Sequence, residues 1–180
     1  MDLFHLYQQL TTYGNFYPTT YRVKDSDDYV EWTEQNFKYV RYNPRKEIKR
    51  YGLSLTSLDG GTSGVPDLDS LYEYNDENNT NYTERDFAKF TPAHDWGNLN
   101  DIIAPIKQHI FRSHILKLDP GGFFPPHRDH RGRGINSFRI IVPLQNMRPP
   151  NLNFVIDHRI LEWELGYLYF LNTNKYIMSE

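Results

Sequence analysis

The sequence predicts a mainly β chain with helices towards its N-terminal end, an α+β fold whose β part is an antiparallel sandwich or jelly roll. Three observations predict it. Five short β-rich runs, "FRSHILKL", "FRIIVPL", "LNFVID", "ILEWEL" and "YLYFLN", crowd the residues after 110. Turn-forming residues separate them: Asp119-Pro120-Gly121-Gly122, Pro149-Pro150, Asp157-His158 and Gly166. No helical periodicity intervenes, and short strands at such spacing pair antiparallel.

The first half has a different texture. Residues 2–13 predict a short helix ended by Gly14. Tyr29, Trp32, Phe37 and Val40 form a loose helical stripe over 27–41, closed by Asn43-Pro44. "YGLSLTSL" alternates as a strand and "DGGTSG" after it is a loop. The acidic run "DLDSLYEYNDENNTNYTERD" predicts surface loop, and "NLNDIIAPIKQHI" a helix capped by Asn98 or Asn100 and bent at Pro105. With 180 residues, the chain is expected to be one domain, 1–180. Residues 1–110 form its helical and irregular part and 111–176 its β-roll core.

Composition narrows the function classes. There is no cysteine, which removes disulfides, thiolate catalysis, zinc knuckles and iron–sulfur ligation. The formal charge of −3 points to neither nucleic acid nor an anionic membrane as partner. The start, "MDLFHLYQQL", has no basic region ahead of an apolar stretch, so no signal peptide is expected. No run is long and apolar enough to span a bilayer, and a cytoplasmic location is expected.

The chemistry-bearing stretch is "GGFFPPHRDHRGRG", 121–134. On extended backbone, residues two apart face the same side, so His127 and Asp129 can offer adjacent ligands to one metal ion. A third protein ligand would complete one face of an octahedron and leave three positions open, the arrangement of non-haem iron(II) oxygenases. His-x-Asp alone is a weak signal. His130 faces away from His127 on an extended chain, and His158 reads as a hairpin-turn residue. "HRDH" also ends a binuclear metallohydrolase motif, but that motif needs histidine where Pro125 stands.

The order of parts carries more. "HILKLDPGGFFPPHRDH", "FRIIVPLQN" and "NFVIDHRILEWELGYLYFLNT" run from strand to Pro-Gly turn, His-x-Asp, an arginine-headed strand ending in Pro-Leu, a hairpin, and a Gly-turn strand. The chain in this respect resembles the aspartyl/asparaginyl β-hydroxylase-like family of 2-oxoglutarate- and Fe(II)-dependent dioxygenases, over residues 111–176. The resemblance implies a double-stranded β-helix of the cupin-like, jelly-roll kind. It also implies hydroxylation of an unactivated C–H bond in a peptide side chain or an amino-acid-like molecule. His127 and Asp129 are then iron ligands, and Arg139 contacts the 2-oxoglutarate carboxylate through its planar guanidinium. Arg112 and His114 share one face of "FRSHILKL"; they line the same cavity or are satisfied polar residues at a strand end.

The family's distal histidine falls at Ile177, which has no lone pair to give, and its second arginine would lie beyond Glu180. The last strand or strands of the roll are therefore expected to be missing, with "YLYFLN" as an unpaired edge that a second copy or partner chain would complete. The alternative is a catalytically inactive jelly-roll binding or scaffold module with an incomplete metal site.

Overall fold

The computed structural model describes residues 3–43, 48–125, 127, 138–156, 158–172 and 178–179. In chain order these form α1 (Leu3–Thr11), β1 (Phe16–Arg22), α2 (Ser26–Asn36), β2 (Val40–Arg41), β3 (Arg50–Ser54), β4 (Thr56–Ser57) and α3 (Leu71–Asn78). There follow β5 (Lys89–Phe90), α4 (Leu99–Ile103), β6 (His114–Leu118), β7 (Arg139–Ile141), β8 (Val155–Ile156), β9 (Arg159–Ile160), β10 (Tyr167–Leu171) and β11 (Met178–Ser179). The fold is mixed α/β with several antiparallel sheets, and among the described residues none closes into a barrel. The chain forms two compact units, one of Met1–Val30 with Phe124–Glu180 and one of Glu31–Phe123.

In the first unit β10 is the centre of a three-stranded sheet, with β1 on one side and β7 on the other. Phe16 stands opposite Leu171 and Tyr17 opposite Phe170; across the other flank Leu171 faces Arg139 and Tyr169 faces Ile141. This corrects the expectation that "YLYFLN" is an unpaired edge. An N-terminal strand pairs with it, and that strand is hard to see in sequence because it is an outer strand. It tolerates Pro18, which has no N–H to give a ladder, and its second half is exposed. A second three-stranded sheet has the order β11-β8-β9, so the last described residues pair with Ile156 and Val155. His158, at φ +66, turns the hairpin between β8 and β9.

One apolar cluster joins the two sheets: Phe154, Ile156 and Trp163 against Tyr169 and Leu171, with Phe16 and Ile141 at its margin. The Trp163 ring meets Phe154 at 4.6 Å and Tyr169 at 5.5 Å between centroids, both edge to face, the arrangement that aromatic quadrupoles favour. The opposite face of the first sheet is also buried. Phe170 packs on Phe138 and Tyr17, and Tyr7 of α1 stacks on Phe138. Asn172, 1% exposed, ties that strand's end to α1 by donating to the Tyr7 hydroxyl at 3.0 Å and to Asn15 at 2.9 Å.

The second unit is built on the sheet β2-β3-β6, in register from Arg50 opposite Leu118 to Ser54 opposite His114, with a small β4–β5 pair beside it. The helix expected over 27–41 stops at Asn36, and Val40–Arg41 joins the sheet instead. The acidic segment expected to be surface loop holds α3, which buries no residue, yet it is anchored at both sides by Leu68 and Phe87, each 0% exposed. Past α4 the chain tightens into a 3₁₀-helix over Ala104–His109, at the proline where a bend was expected. No helix among the described residues is long and apolar enough to cross a membrane.

Candidate functional site

His127 follows two prolines in the sequence. Its Nδ1 lies 2.9 Å from the Pro125 carbonyl oxygen. A carbonyl only accepts, so Nδ1 carries the ring proton, and in the neutral imidazole the lone pair is at Nε2. That is the tautomer a metal-ligating histidine takes when a second partner fixes its ring. The Phe124 ring lies 6.3 Å from the imidazole at 32°. The histidine is half-buried. Asp129, the second expected ligand, and Ile177, at the distal position, lie outside the described residues.

Arg139 opens β7. By the period of two it leaves the sheet on the same side as Ile141, and Ile141 packs against the Phe154–Trp163 cluster. The arginine is therefore half-buried on the core side of the sheet, at the end of that cluster. A guanidinium there is partly shielded from water, which strengthens any charge-assisted bond it makes.

Arg112 and His114 belong to the other unit. The Arg112 side chain is 10% exposed and is engaged at all three of its nitrogens. Nε donates to the Asp67 carbonyl at 2.6 Å, Nη2 donates to the Asp69 carbonyl, and Nη1 pairs with Glu84 at 3.0 Å. The guanidinium also lies over Phe87, 5.5 Å from its centroid. Arg112 thus fastens the segment around α3 to the strand sheet. His114 stands opposite Ser54, its ring 5.1 Å from that of Tyr42.

Reading the residues missed a buried polar cluster in this unit. Asp67, Ser54, Thr56, Ser57 and Thr91 are each 2% exposed or less. Ser54 donates to Asp67 at 2.9 Å, and Thr91 donates to the Ser54 carbonyl at 2.7 Å. Burial pushes the Asp67 carboxyl above the ordinary carboxylate range. Nothing in "SGVPDLDS" signals this, because the partners lie on a strand 13 residues earlier. Among the described residues no three histidine, aspartate or glutamate side chains come together as a metal site.

No family model, curated protein or solved structure matches the chain.

Proposed function

We propose that the chain is a 2-oxoglutarate- and Fe(II)-dependent dioxygenase that hydroxylates a peptide side chain or an amino-acid-like molecule. The observation that carries the reading is the hydrogen bond from His127 Nδ1 to the Pro125 carbonyl. It fixes the imidazole with its basic nitrogen at Nε2, and so suits the donor set of a His-x-Asp metal site. Asp129 is the second ligand. Arg139 grips the cosubstrate's carboxylate, and its place on the core side of β7 supports this role. Two three-stranded antiparallel sheets sharing one apolar cluster support the jelly-roll architecture.

When bound, the iron supplies oxygen activation coupled to decarboxylation of 2-oxoglutarate. The residues bind, orient and exclude water: His127 and Asp129 hold the ion, Arg139 orients the cosubstrate, and the Phe154–Trp163 cluster keeps one side of the sheet dry. The second reading, a catalytically silent binding module on the same fold, is favoured by Ile177, an aliphatic residue where the resemblance places a third ligand.

The test is an anaerobic titration of Mn(II), as a stand-in for Fe(II), with and without 2-oxoglutarate. Wild type should bind the ion more tightly when 2-oxoglutarate is present, and His127→Ala and Asp129→Ala should lose that binding. Equal uptake by all three removes the site.

A further inference from the structure

Asp67 is 2% exposed, and its carboxyl has sparse company. One oxygen, Oδ2, accepts from Ser54 Oγ at 2.9 Å; among the described residues no hydrogen-bond partner meets Oδ1. The neighbouring cation does not bond the carboxyl. Arg112 spends Nε on the Asp67 carbonyl, Nη2 on that of Asp69 and Nη1 on Glu84. Two neutral donors, the Ser54 hydroxyl and the Leu58 amide, compensate a buried anion poorly when no cation bonds it, whereas a neutral carboxyl in the same place needs less.

The surrounding elements are few. Ser54 comes from β3, with His114 opposite it on β6. Asp59 and the Leu58 amide come from the turn after β4, and Arg112 from just ahead of β6, its charge offset by Asp69 and Glu84. The segment that carries this carboxyl is short and turned on itself: the Leu68 amide bonds the Gly64 carbonyl at 2.9 Å, and the Asp69 amide that of Pro66 at 3.1 Å, while the Leu68 carbonyl accepts from the Asn43 amide at 2.6 Å. Leu68, 0% exposed, is seated where Gly52 and Gly64 leave room for it.

We infer that Asp67 is a proton-operated latch: neutral, it stays buried against Ser54 and holds residues 64–69 to β3; ionised, it moves to solvent and lets that segment open. The direction of its titration agrees. Burial raises its value first and Asp59 raises it further; Ser54, the Leu58 amide and Arg112 pull the other way without cancelling the rise. Closure is therefore fully favoured below the ordinary carboxylate value and weakens as pH climbs to Asp67's own raised value.

Hydrogen–deuterium exchange of the intact chain, corrected for intrinsic rates, reads the latch at the Leu68 and Asp69 amides. Protection should fall about tenfold per pH unit between the ordinary carboxylate value and the raised one, then level off. Asp67→Asn should abolish this dependence. Asp59→Asn should lower the pH at which protection levels off, and Ser54→Ala should raise it. Protection in wild type that ignores pH, an Asp67→Asn profile that follows wild type, or shifts of opposite sign would overturn the latch. If Asp67→Asn does not fold, a carbon-13 titration of the Asp67 carboxyl in wild type decides. A midpoint above the ordinary aspartate range supports the latch; one within or below it sinks the idea.

Discussion

Arg112 gives the sharpest test of how the second unit is held, because two roles for it predict different losses. Replacing it with alanine removes bonds to the Asp67 and Asp69 carbonyls and to Glu84. Each main-chain bond from a charged donor is worth about 1.5 kcal/mol net, the lower end of the range for bonds that involve a charged group. Glu84 is 49% exposed at its side chain, so its pairing adds less than about 1 kcal/mol. The total is about 3 kcal/mol, or a fall in melting temperature of about 6–12 °C for a chain of this size. Lysine should recover less than half, since a single ammonium cannot span three acceptors fixed by a planar fork. Thermal unfolding followed by circular dichroism measures the loss, and calorimetric titration with 2-oxoglutarate is the companion assay. An Arg112→Ala protein that melts like wild type but binds 2-oxoglutarate poorly would refute the fastening role and restore the cavity-lining role expected from sequence.

Three further outcomes follow from particular contacts. Leu171→Ala, at a fully buried position between Phe16 and Arg139, should cost about 2–5 kcal/mol in urea unfolding, and an unchanged midpoint would contradict the shared core. Gly166→Ala should destabilise far more than Gly97→Ala. Both glycines have positive φ, but a methyl group at 166 would lie 2.5 Å from the Val23 carbonyl oxygen, whereas at 97 nothing lies within 4 Å; comparable melting temperatures would refute the difference. The Thr83 amide and hydroxyl both donate to Asp86, at 2.6 and 2.8 Å, and hold its carboxyl below the ordinary aspartate value. That contribution is present above the ordinary value and lost as pH falls through the depressed one, so Asp86→Asn should flatten this part of the acid limb of stability.

What the sequence made legible is the strong local signal. α1 closes at Thr11 and Gly14 ends the turn that follows it, Pro105 marks the change from α4 to a tighter turn, and "HILKL", "RII" and "YLYFL" are strands. Other elements were illegible for definite physical reasons. β1, "FYPTTYR", is an outer strand, so it keeps a proline and exposes most of its second half. α3 buries nothing, so its residues show no apolar stripe. The pairing of β1 with β10 joins residues some 150 positions apart, and no short-range pattern encodes it. At the candidate site, His127 and Arg139 were visible as residue types in an ordered run. Arg112's partners are mostly main-chain carbonyls, which leave no trace in side-chain identity. The Asp67–Ser54 pair was hidden because a buried aspartate and an exposed one look alike in a polar run.

The most direct measurement is succinate formed from 2-oxoglutarate by the purified chain with Fe(II) in air, compared with His127→Ala and Arg139→Met. Wild type should form succinate in an iron-dependent way, His127→Ala none above background, and Arg139→Met should show a raised KM for 2-oxoglutarate. Wild-type protein that binds the metal yet forms no succinate, or a His127→Ala protein that forms as much, would contradict the proposed activity.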